Sequence, residues 1–359
     1  MEARRRRQTP AFGRLSRAAA VALAARSLEP LLPAVIAENA DDAVFFARIH
    51  GISGLLDSLA DARVPATVAE AWRADRARVG ARAARFRDDL DRLRRRASEA
   101  GLAFHPLKGA LLAFGKYPDP SLRPAADIDL LAEEPDFEAW SRILVEEGYF
   151  AQTESPDVRV FFRTDFRTPD SFEEHPDNPR PVELHRRVAY RLLGRRVDLT
   201  ERYLTDPDRD RALFLHLLVH AGPALVGRGL RLVQFEDFRH VSADADSARS
   251  AVALLHDAAW GISALIERTL PGTFTAAYLD ALAPPSARRQ RLWLARPGLV
   301  TGEAEREVLF LAEARLCRTP RELLSRCVDA FPETSFLDRA YGASPLRLLR
   351  YYRDRFSPR

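Results

Sequence analysis

The chain has 359 residues, of which 47% are hydrophobic and 30% charged, and its 55 basic and 51 acidic residues leave a net charge of +4. That composition supports a sizeable folded core and excludes collagen-like, disordered and disulfide-scaffold classes. No stretch approaches the roughly 20 apolar residues that a bilayer-spanning helix needs, and the two cysteines, Cys317 and Cys327, form no CxxC pair, as expected of a reduced, cytoplasmic protein.

The first residues, MEARRRRQTPAFGRLSR, read as a basic tail running into an amphipathic helix rather than a cleaved signal. Apolar residues recur at helical spacing over 43–59, interrupted by Gly51 and Gly54, and again over 68–100 through Val68, Trp72, Phe86, Leu90 and Leu93. Gly101 is a stop signal for that long helix. The pattern then changes. LAFHPL, 102–107, is a short apolar run expected to be a strand, and LKGALLAFGKY is a glycine turn leading into a short helix. Pro118, Pro120 and Pro124 make a rigid loop. DIDLL, 127–131, alternates polar and apolar as a strand does, and a further helix opens at Glu134 and Pro135 and stops at Gly148. Strands are expected over 149–153, 158–166 and 181–188, with a polar loop over 167–180, and from 213 onward the pattern is helical again.

Asp127 and Asp129 are two apart on a strand, so both carboxylates leave the same face while Ile128 and Leu130 point to the core. Two such carboxylates repel unless a cation lies between them, and a hard divalent ion shared with phosphate oxygens meets that need. PVELH repeats the pattern: Val182 and Leu184 can be buried only if Glu183 faces the other way. If this strand lies beside DIDLL, Glu183 joins the aspartate pair, and His185 shares its face. Lys108, Gly109 and Ala110 occupy a strand-to-helix turn, where free N–H groups favour phosphate. Lysine occurs only at Lys108 and Lys116, against arginine everywhere else, so both point charges fall in this one segment. Arg123, four residues before Asp127, is within reach of a phosphate. His216 and His220 are i,i+4 on one helical face, a spacing that suits zinc, but no HExxH and no third ligand accompany them, so a role in the core or the site wall is expected.

LKGALLAFGKYPDPSLRPAADIDLL, followed some fifty residues later by VELH, resembles the uncharacterised nucleotidyltransferase family of the polymerase-beta-like superfamily. The superfamily pattern is a glycine turn, a pair of acids spaced hDhDh, and a third acid on a later strand; here these are Gly109–Ala110, Asp127 with Asp129, and Glu183. LFLHLLVHAG and RLVQFEDF, carrying His216, His220 and Asp237, resemble the family's helical tail. The superfamily usually has Ser or Gly where Ala110 stands.

The resemblance implies an α+β fold, a small mixed-sheet core over 101–190 flanked by helical regions over 1–100 and 191–359. It implies a metal-dependent nucleotidyltransferase that moves a nucleoside monophosphate from an NTP, expected to be ATP, to an acceptor. Asp127, Asp129 and Glu183 would hold Mg²⁺ or Mn²⁺. Lys108, Gly109, Ala110 and Arg123 would bind phosphate, and His185, His216, His220 and Asp237 would wall the site. Relatives of this kind occur in bacterial peptide natural-product clusters, so a peptide or small molecule is the expected acceptor, with no membrane or nucleic-acid partner. A non-catalytic nucleotide-binding or protein-interaction module is the alternative. A DxD glycosyltransferase fits less well, because helices rather than alternating strands precede the motif.

Overall fold

The computed structural model describes residues 10–37, 40–163, 180–227, 229–295 and 314–329. The loop expected over 167–180 lies outside these residues except for Arg180, as do the last three positions of the strand expected over 158–166. Helices Pro10–Ala25, Leu32–Ala37, Ala40–His50 and Ser53–Leu59 lead to the long helix Ala66–Glu99, which ends at Gly101 with φ +69°. Strands β1 (His105–Pro106), β2 (Ile128–Leu131), β3 (Tyr149–Glu154), β4 (Val158–Arg163) and β5 (Val182–His185) form one sheet in the order β1-β2-β5-β4-β3. Only β2 and β5 are parallel. Helix Lys108–Gly115 joins β1 to β2, helix Phe137–Glu146 follows β2, and the β3–β4 hairpin intervenes before β5. The result is the mixed α/β architecture expected, although β1 is only two residues long.

A second sheet was not legible in the sequence: the hairpin of β6 (Ala189–Leu192) and β7 (Arg195–Asp198). Its turn places Leu193 at φ +50° and Gly194 at φ +71°, the left-handed pair of a tight two-residue turn. Glycine is required at 194, since a Cβ there would fall 2.2 Å from the Glu322 carbonyl oxygen. Helices Thr200–Thr205, Arg209–Gly227, Leu232–Arg239, Ala245–Leu255, Asp257–Thr269 and others continue the chain. Among the described residues no helix is long and apolar enough to cross a membrane.

The strand alternation divides the core. Ile128, Leu130, Val182 and Leu184 are all essentially inaccessible, and they pack with Phe86, Leu90, Leu93, Phe137 and Trp140 on one face of the sheet. Burying each such side chain is worth about 1.5–3 kcal/mol. Leu131 points to the opposite face and belongs to a larger cluster that unites the N-terminal helices, the β6–β7 hairpin and the C-terminal helices. The long helix serves both cores, giving Val68 and Trp72 to the larger and Phe86 to Ala97 to the smaller. Helix Arg209–Gly227 packs on β6 and on helix Lys108–Gly115, so it lies against the same sheet face as Leu131.

The N-terminal helices are seated against the loop that precedes β2. A Cβ at Gly54 would lie 2.7 Å from the backbone oxygen of Ser121 and 3.2 Å from Leu122 Cα, atoms that cannot swing away. Gly54→Ala is expected to destabilise the fold by about 1–3 kcal/mol, the cost of overpacking, and denaturant titration monitored by circular dichroism measures it.

Candidate active site

Parallel pairing of β2 with β5 sets Asp129 directly opposite Glu183 and Leu131 opposite His185. Side chains two apart share a face, so Asp129, Glu183 and His185 converge away from the Ile128–Leu184 core. One ligand atom from each of these three lies within 4.8 Å of the others. His185 Nε2 is 3.0 Å from Asp129 Oδ1 and 3.7 Å from Glu183 Oε2. Asp129 and His185 are buried, whereas the Glu183 side chain keeps 34% of its exposure and faces the opening. Asp127 sits one residue ahead of β2, and its charge is felt by Glu183.

The electrostatics separate the carboxylates. Burial, and then the charge of Asp129, raise Asp127 above the ordinary carboxylate range; burial followed by Asp129 and Asp127 does the same to Glu183. Burial would raise Asp129 too, but the Lys108 ammonium, 3.6 Å from its Oδ2, and the His185 hydrogen bond hold it well below that range. Burial, the largest single influence, would lower Lys108, but Asp129 together with Tyr190 and Asp127 outweighs it and raises the ammonium. Asp129 is therefore the fixed anion of the site, with Asp127 and Glu183 held beside it at an electrostatic cost.

This donor set fits a divalent cation. Carboxylate oxygens and one imidazole nitrogen converge, and a cation would relieve the repulsion that raises Asp127 and Glu183.

Lys108 opens helix Lys108–Gly115, placed by Leu107, whose N–H donates to the Asp129 carbonyl. The Ala110 N–H is taken up by the Leu107 carbonyl at 3.2 Å, so Lys108 and Gly109 carry the leading N–H groups of this turn. Gly109 lies close to Arg123, with Nη1 3.4 Å from where a Cβ would stand. The other two nitrogens of Arg123 are committed: Nε donates to Asp237 Oδ1 at 3.2 Å and Nη2 to Oδ2 at 3.0 Å. Tyr117 donates to the same Oδ1 at 2.9 Å, and burial with the Asp237 charge raises its phenol well above the usual range. Arg123 is thus first a buried partner of Asp237, and its third nitrogen, Nη1, beside the glycine turn, makes a long bond to the Pro124 carbonyl at 3.5 Å. Asp237 is held by Arg123 and Tyr117.

His216 and His220 do not form a metal pair. Both ring nitrogens of His216 are engaged, Nε2 with the Tyr190 hydroxyl and Nδ1 with that of Tyr203, each at 2.7 Å. His220 packs edge-on against Tyr190 with ring centroids 5.8 Å apart. Tyr190 borders the site itself, since the Lys108 ammonium lies 5.8 Å from the centre of its ring. Tyr190 and Tyr203 escaped the sequence reading. Gly194 alone, with φ +71°, was the local signal that could have marked a turn and placed Tyr190 on a strand returning to the site.

The family described as uncharacterised nucleotidyltransferase matches residues 37–262. That is more than half of the chain, and it spans the long helix, the five-stranded sheet, the hairpin and the helix carrying His216. The chain belongs to this family. No curated protein and no solved structure matches it.

The Arg123–Asp237 pair ties the loop before β2 to helix Leu232–Arg239. Asp237→Ala strands a buried guanidinium and is expected to cost roughly 3–5 kcal/mol in a denaturant titration. Arg123→Met combined with Asp237→Leu, which removes both charges, is expected to recover most of that loss.

Proposed function

We propose that this nucleotidyltransferase-family chain moves a nucleoside monophosphate from an NTP, with ATP as the first candidate, to an acceptor, releasing pyrophosphate. The observation that carries the reading is the in-register pairing of Asp129 with Glu183, which gathers two carboxylates and His185 within 4.8 Å. Asp127, Asp129 and Glu183, with His185 beside them, would hold Mg²⁺ or Mn²⁺, and the ion would supply charge neutralisation and alignment of the triphosphate.

The protein's own groups do the rest. Lys108 and the leading N–H groups of its helix offer positive charge to the β- and γ-phosphates. Glu183, far more open than Asp129 and raised by burial and then by Asp129 and Asp127, is placed to take the proton of the acceptor as its oxygen or nitrogen attacks the α-phosphorus. The bond to the bridging oxygen then breaks, and pyrophosphate leaves with the electron pair. Catalysis on this plan is mostly positioning and charge compensation. A peptide or small molecule is the acceptor class we favour.

The test uses ATP labelled at the α-phosphate, Mg²⁺ or Mn²⁺, and candidate peptide and small-molecule acceptors. Label retained on an acceptor with release of unlabelled pyrophosphate supports the reading. In a parallel reaction with ATP labelled at the γ-phosphate, retention of that label on the acceptor instead would show phosphoryl transfer and defeat it.

Asp127→Asn and Asp129→Asn are both expected to abolish transfer, but their stabilities should differ. Asp127→Asn removes a repelled charge and holds or raises the melting temperature. Asp129→Asn takes the counter-charge from Lys108 and is expected to cost about 1–3 kcal/mol. Mg²⁺ or Mn²⁺ should raise the melting temperature of the parent protein by at least about 2 °C, and Asp129→Asn should remove that shift, as differential scanning fluorimetry can check.

Lys108→Ala is expected to weaken ATP binding about tenfold or more while changing AMP binding little, because its charge is assigned to the outer phosphates. Calorimetric titration with both nucleotides separates the two, and an equal loss for both would make Lys108 a structural partner of Asp129 alone.

A further inference from the structure

Tyr190, His216 and Tyr203 form a chain whose hydrogens can be counted. Tyr203 is buried, and among the described residues the only polar atom its hydroxyl meets is His216 Nδ1, at 2.7 Å. A phenolic hydrogen left unpaired in the core is costly, so Tyr203 donates to Nδ1. Nδ1 is then an acceptor, and the ring hydrogen sits on Nε2. A doubly protonated ring would strand the Tyr203 hydrogen; burial, and after it the Lys108 charge, also hold His216 well below its usual range. Nε2–H therefore donates to the Tyr190 oxygen, 2.7 Å away.

The Lys108 ammonium, with Nζ 5.8 Å from the centre of the Tyr190 ring, turns positive charge toward this residue and attracts the oxygen rather than the hydrogen of its hydroxyl. Tyr190 thus accepts from His216. Its own hydrogen finds no acceptor among the described residues: it feels the charges of Asp129 and Glu183 but makes no hydrogen bond to either. Tyr190 is only partly buried. Lys108 Nζ, near its ring, is 3.6 Å from Asp129 Oδ2, so Tyr190 stands beside the carboxylate cluster. The incoming His216 N–H also makes the phenolic O–H a stronger donor.

We propose that Tyr190 is a substrate-binding residue that donates its phenolic hydrogen to a phosphate oxygen of the nucleotide held at Asp127, Asp129 and Glu183. The assignment rests on the nucleotidyl-transfer reading. The chemistry selects the ligand atom. With one lone pair taken by His216 and the Lys108 charge drawing on the oxygen, Tyr190 presents its hydrogen, which suits an acceptor-only, anionic oxygen rather than the hydroxyl or amine of an acceptor substrate. His216 and Tyr203 are positioning residues: they fix the direction of that hydrogen without touching the ligand.

Three measurements test this in the full chain with Mg²⁺. ¹⁵N-histidine NMR is expected to show His216 with its hydrogen on Nε2, and a hydrogen on Nδ1 overturns the assignment whatever the protein binds. Calorimetry with ATP and with adenosine is expected to show Tyr190→Phe binding ATP about tenfold more weakly and adenosine equally well; unchanged ATP affinity overturns the proposal. The ζ-carbon resonance of Tyr190, assigned by its loss in Tyr190→Phe, is expected to shift when ATP binds and to stay put with adenosine. A resonance unmoved at ATP saturation overturns a direct contact and leaves Tyr190 as a support for Lys108. If the parent protein binds no ATP with Mg²⁺, the nucleotidyl-transfer reading fails, and the phosphate role of Tyr190 fails with it, while the His216 measurement still stands.

Discussion

The parallel pairing of β2 with β5 is the constraint on which the site depends. Strand side chains alternate, so one register sends Ile128, Leu130, Val182 and Leu184 into the core and Asp129, Glu183 and His185 out of it together. A slip of one residue in β5 would invert that strand against β2, turning Glu183 and His185 into the core and Val182 and Leu184 out of it. The apolar side of the pairing thus holds the polar side in place: burial of four branched side chains offsets the repulsion between carboxylates on the far face.

Lys108 moderates that repulsion from a different element. Its ammonium neutralises Asp129, which lets the carboxylate remain ionised although buried, while Asp127 and Glu183 stay poorly compensated. An arrangement with one settled anion and two unsettled ones suits a site that must take up positive charge, because the gain on binding is concentrated where the free protein is least satisfied. The Arg123–Asp237–Tyr117 group works in the opposite sense. It is fully paired in the free protein, and it anchors the glycine turn and the loop before β2 to the C-terminal helices.

Much of this could be read from the chain alone, for identifiable reasons. DIDLL and VELH each alternate cleanly, and an acid between aliphatic residues on a strand has one face available to it, so the direction of Asp127, Asp129 and Glu183 followed from local pattern. The ends of the long helix and of helix Phe137–Glu146 were marked by Gly101 and Gly148. Partners brought together from afar were not legible. Nothing local to Arg123 announces that Asp237 takes two of its nitrogens, and β1 is far shorter than its apolar run because Leu102 and Phe104 pack against the smaller core from outside the ladder. The hairpin was missed because AYRLLGRRVD carries hydrophobic residues in adjacent pairs rather than alternately, and its left-handed turn residue is leucine, which seldom takes that conformation.

Tyr190 belongs to that hairpin, and the consequence concerns how such a module can be cut or borrowed. The motif-bearing stretch ends at VELH, and a boundary drawn soon after it would keep every acidic residue. It would also discard β7, and with it the strand that pairs with β6, and the helix that carries His216. The catalytic sheet and its helical appendix are therefore not separable parts joined by a linker. In evolutionary terms, the sheet cannot be shuffled onto a new partner without bringing residues up to at least the end of helix Arg209–Gly227, and the heritable unit is larger than the motif that identifies it.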